Sequence, residues 1–81
     1  MMTRWFLERL ESLIVNGNLK EAIREMDRVE VRFELPSQER CWAALRASLV
    51  TAESFEGNRR QYLIDIAVNN IKRLKQWTSL R

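Results

Sequence analysis

Apolar side chains recur at three- and four-residue spacing along most of the chain, and the pattern predicts four amphipathic helices separated by three short breaks. The first runs from about Thr3, a suitable N-cap, to Val15, with Phe6, Leu10, Leu13 and Ile14 on one face and Leu7 on its edge. Asn16-Gly17-Asn18 ends it. Gly17 suits the left-handed position that closes a helix, and Asn18 with Glu21 three residues on reads as a capping box for the next one. The second helix is expected to reach about Phe33, on a stripe of Leu19, Ala22, Ile23, Met26, Val29 and Phe33. Val29 to Phe33 also alternate as a strand would, but no partner strand is apparent, so the helix is preferred.

Leu35-Pro36-Ser37 makes the second break, because the residue before proline disfavours helix and Ser37 can cap a new one. Gln38 and Glu39 then occupy the first turn of a third helix, which runs to about Phe55 with Cys41, Ala44, Leu45, Ser48, Leu49, Ala52 and Phe55 facing inward. Glu56-Gly57-Asn58 repeats the chemistry of the first break: Gly57 is expected to terminate the helix, and Asn58 to cap the fourth with Gln61 in the capping-box position. That last helix extends from about Arg59 to Trp77. Leu63, Ala67, Ile71 and Leu74 line one face, widened by Tyr62, Ile66 and Trp77. The two halves share the order helix, Gly-Asn, capped helix, a weak hint of two stacked hairpins.

A chain of 81 residues supports one domain, here 1–81, with a net stability of about 4–8 kcal/mol. A homodimer would add to so thin a margin, and self-association is carried as an expectation. Composition is 46% hydrophobic and 31% charged, too apolar for disorder and too interrupted by charge for a membrane span. With no secretory apolar core near the N-terminus, the expected location is cytoplasmic and no membrane partner is expected. Two glycines and one proline leave little material for hairpin turns, which favours long helices.

Catalysis is the weakest reading. The chain has no histidine and a single cysteine, Cys41, which lies on an inward helical face and has no obvious base. One cysteine without histidine cannot build the usual metal sites, and no glycine-rich phosphate loop is present. No catalytic residue, cofactor or metal is therefore expected. Most of the eleven carboxylates lie opposite an apolar stripe, several of them near a basic partner, as Glu21 does to Arg24, and read as a solvated, salt-laced surface.

Charge is unevenly distributed. Residues 1–56 carry a net −2 and residues 57–81 a net +5, the latter from Arg59, Arg60, Lys72, Arg73, Lys75 and Arg81 against Asp65. Cations at a helix C-terminus are favoured by the dipole, which accounts for Lys72, Arg73 and Lys75. Arg59 and Arg60 stand at a helix N-terminus, where the dipole opposes them, and so ask for another reason. The tryptophans Trp5, Trp42 and Trp77 lie near predicted helix ends, and each has an arginine close by, Arg4, Arg46 and Arg73 respectively. They could simply cover the ends of the bundle. An interface role is preferred, because tryptophan and arginine dominate the energetics of protein interfaces.

The expected fold is all-α, a four-helix antiparallel bundle or two stacked helical hairpins. The expected function is protein–protein binding as an adaptor, inhibitor or assembly subunit, as among accessory proteins of phages and mobile elements. Trp5, Trp42, Arg46, Arg59, Arg60, Lys72, Arg73 and Trp77 would carry it, against a partner with an acidic surface. The alternative is a nucleic-acid binder using the basic C-terminal helix, where Asn69, Asn70, Arg73 and Gln76 loosely resemble base readers.

Overall fold

A computed structural model describes residues 4–79, and its regular structure is entirely helical: α1 (Arg4–Val15), α2 (Leu19–Arg28), α3 (Pro36–Ala52) and α4 (Asn58–Ser79). The Thr3 cap and Arg81 lie outside the described residues. Each helix packs on its neighbour in sequence, and α4 returns to pack on α1, so the backbones form a closed ring with the longest interface between α3 and α4. Short connections make successive helices antiparallel neighbours. The bundle measures 38 × 20 × 17 Å, a long axis set by the 22 residues of α4 at about 1.5 Å each.

One hydrophobic cluster joins all four helices. Leu7, Leu10 and Ile14 of α1, Leu19 of α2, Leu45 and Leu49 of α3, and Ile71 and Leu74 of α4 are its largest fully buried side chains. No charged or polar residue among those described is buried. Leu7, expected at the edge of its stripe, is fully enclosed, because α2 and α4 flank α1 on two sides and widen the face it must bury.

The first break behaves as its sequence dictates. Gly17 adopts φ +82°, and a Schellman closure forms: the Gly17 amide donates to the Ile14 carbonyl at 3.0 Å and the Asn18 amide to the Leu13 carbonyl at 2.8 Å. The expected capping box is absent. Asn18 makes no side-chain cap bond, and the Glu21 carboxylate accepts from Arg24 instead.

α2 stops at Arg28, well short of the expected Phe33. Val29 is extended (φ −98°, ψ 127°), and the chain runs to Leu35 without helix or strand. The period-two alternation is nonetheless realised there. Val29, Val31 and Phe33 are half-buried while Glu30, Arg32 and Glu34 face solvent, so the segment lies as a strap over the bundle end. The apolar stripe of α2 continues into it through Val29, which packs on the core, and Phe33, whose ring reaches that of Trp42 with centroids 6.0 Å apart.

Ser37 does not cap α3. Pro36 is the first helical residue and Leu35 the cap position, where the fixed φ of proline suits helix entry. Gln38 supplies the cap chemistry: its side-chain oxygen accepts from the Glu34 amide at 3.1 Å and the Leu35 amide at 3.4 Å. α3 ends at Ala52, before Phe55, and Gly57 serves the following helix rather than this one. Gly57 sits at φ +69° and its carbonyl accepts from the Gln61 amide at 3.1 Å, which makes it the N-cap of α4. Asn58 is thus already helical, and the Gln61 side chain donates to Asp65 rather than closing a box. Of the face proposed for α3, Cys41, Leu45, Leu49 and Ala52 are buried, Ser48 and Phe55 are half-buried, and Ala44 is exposed. Tyr62 of α4, expected inward, is 67% exposed.

Candidate functional site

Half of the eight residues singled out by sequence as partner-binding have partners inside the fold. Arg46 of α3 grips Asp27 of α2 through two bonds, Nε to Oδ1 at 2.9 Å and Nη2 to Oδ2 at 3.1 Å. The guanidinium holds the Asp27 carboxyl below its ordinary range. Arg60, set against the dipole at the start of α4, donates to the Ala52 carbonyl at 3.1 Å and the Gly17 carbonyl at 3.4 Å. It thereby ties the C-terminus of α3 to the α1–α2 turn, meeting acceptors that those chain ends leave open. Arg59 lies over the Phe55 ring, 5.3 Å from its centroid. Trp42 is half-buried between Phe6 at 6.4 Å and Phe33 at 6.0 Å, beneath the strap. Lys75 is bound to Glu11 at 2.8 Å, across the α1–α4 seam.

Trp5, Lys72, Arg73 and Trp77 remain, and of these Trp77 packs its buried part against the common core. Trp5 is 69% exposed at the start of α1, and Lys72 is exposed on α4. Arg73 and Trp77 stand one helical turn apart on α4 and meet α3 across a cleft of about 530 Å³, also lined by Ser37, Arg40, Cys41, Ala44, Asn70 and Gln76. No carboxylate among the described residues lines this cleft. Neither Arg40 nor Arg73 is ion-paired among the described residues. On its floor the Cys41 sulfur contacts the Asn70 carbonyl and Asn70 Oδ1, each at 3.3 Å. Burial pushes the thiol above its usual range, an effect opposed by the nearby charge of Arg73. Such a thiol is a weak nucleophile at neutral pH.

Sequence reasoning overlooked Arg40. It stands beside Glu39 in the net-acidic part of the chain, and nothing local distinguishes it from the other surface arginines. Only the antiparallel packing of α3 on α4 sets it against Arg73. No group of three or more histidine, cysteine or carboxylate residues able to hold a metal occurs among the described residues, and no described helix is long and apolar enough to cross a membrane.

The fold and the cleft define an all-α protein with a basic, aromatic-edged groove between its two longest helices. Compared with family models, curated proteins and solved structures, the chain matches none of them.

Proposed function

We propose that this protein is a binding module that recognises another protein, as an adaptor, inhibitor or assembly subunit, rather than an enzyme. The observation that carries the reading is the pair of unpaired arginines, Arg40 and Arg73, set beside Trp77 on adjoining rigid helices. Two cations on facing walls of one cleft repel each other, and an arriving anion relieves that repulsion. Arginine next to a half-buried tryptophan is also the composition of interface hot spots. The excess of basic charge speeds encounter with an acidic partner.

Nucleic-acid binding is the second reading, favoured by the exposed row of Asn69, Lys72, Arg73 and Gln76 on α4. It ranks lower because Arg59, Arg60 and Lys75, half of the basic residues of the C-terminal segment, already have partners in the fold. Affinity capture from nuclease-treated source cells, followed by reconstitution with the purified candidate and a size-exclusion mass, tests the choice. A stoichiometric complex that survives nuclease supports protein binding, and the mass of the free protein reads out self-association. Recovery of nucleic acid alone, or of nothing that reconstitutes, refutes it.

A further inference from the structure

The chemistry of the cleft is specific enough to describe its occupant. Its two charged walls come from different helices, Arg40 from α3 and Arg73 from α4, and no acidic side chain among the described residues lines it. Its remaining lining mixes polar Ser37, Asn70 and Gln76 with Ala44, buried Cys41 and half-buried Trp77. A volume of about 530 Å³ is within the range of small-ligand pockets, about 300–1,000 Å³, and admits a few side chains rather than a whole domain surface. Arg73 and Trp77 are four residues apart on one helix, which sets their side chains about 6 Å apart.

We propose that the cleft takes an acidic–apolar segment of a protein partner, with one carboxylate seated between Arg40 and Arg73 and an apolar side chain against Trp77. The two partner side chains stand about 6 Å apart, the spacing of positions i and i+4 on a helix. A nucleic-acid strand is the competing occupant. Its phosphates would satisfy the arginines and a base could stack on Trp77, but Arg59, Arg60 and Lys75 are already engaged within the fold and leave a strand little further backbone contact. The inference rests on the protein-binding reading and narrows it to one location and one chemistry.

Nuclear magnetic resonance titration of the full chain tests it. The probe is a short synthetic peptide that repeats glutamate and leucine four residues apart, with a thymidine oligonucleotide as competitor. The expected result is a set of shifts confined to Arg40, Cys41, Ala44, Asn70, Arg73 and the Trp77 indole, weakening as salt rises. Arg40→Glu and Arg73→Glu should each lower affinity about ten-fold or more, and Arg73→Lys only in part. Both arginines are exposed, so the variants keep the helical circular-dichroism spectrum of the parent. Shifts elsewhere on the surface, unchanged affinity in both glutamate variants, or tighter binding of the oligonucleotide at the same residues would each overturn the proposal. If the glutamate variants still reconstitute with a partner captured from cells, protein binding stands and the cleft assignment falls.

Discussion

Leu45→Ala is the sharpest probe of the packing. Leu45 lies in the middle of α3, fully buried in the common cluster, on the helix that packs against both α2 and α4. Truncation removes three buried carbons, worth about 2.4 kcal/mol in lost transfer energy at about 0.8 kcal/mol each. The cavity left behind raises the cost to about 3–4 kcal/mol, because antiparallel helices locked on both sides cannot collapse into it. A chain of this length unfolds with an entropy near 0.17 kcal/mol per kelvin, so the midpoint should fall by about 15–25 °C. That is a large share of a net stability of about 4–8 kcal/mol, and a fraction of the variant should already be unfolded at 37 °C. The control is Val50→Ala on the same helix. Val50 is 44% exposed, and its truncation should shift the midpoint by no more than about 3 °C. Thermal scans by circular dichroism at the helix band, paired with urea titrations of matched slope, measure both. If Leu45→Ala melts within about 3 °C of the parent while Val50→Ala loses more, α3 presents a different face to the core and the four-helix packing is wrong.

Arg60→Met should cost about 1 kcal/mol by freeing the Ala52 and Gly17 carbonyls, and hydrogen exchange should quicken at the α1–α2 turn and the end of α3 together. Equal exchange in parent and variant would show that Arg60 does not join those two chain ends. Asp27 is held below its ordinary value of 3.8 by Arg46, so the carboxylate is favoured in the folded state. The stabilising contribution of the pair is therefore present above that value and is lost as pH falls through the lowered one. Carboxyl resonances should place its midpoint below 3.8, and Arg46→Met should move that midpoint upward; an unchanged midpoint would show that the two side chains are not coupled.

Helix number and class were legible in the sequence because both depend on neighbours three or four positions away. The apolar stripes of α1, α2 and α4 are local patterns, and Gly17 and Pro36 act through their own backbone geometry wherever they stand. Where residue type was ambivalent, the sequence did not decide. Alanine is at home on either face, so Ala44 was expected inside although it lines an open cleft, and Val29 to Phe33 fit both a helical and an alternating pattern. Docking of Phe33 on Trp42 accompanies the extended form. Gly57 looked like a copy of Gly17, yet it opens a helix where Gly17 closes one.

The amino-acid sequence by itself determined that this chain forms helices, roughly where they break, and which stripes they bury, since these depend on local periodicity and backbone preference. The tertiary structure alone decided which charges remain available. Arg46 and Arg60 meet partners 19 and 43 residues away in sequence, whereas Arg40 and Arg73 face one cleft from different helices and find no carboxylate there among the described residues. Charge pairing across a bundle depends on which helix surfaces are brought into register, and no pattern within a single helix carries that information.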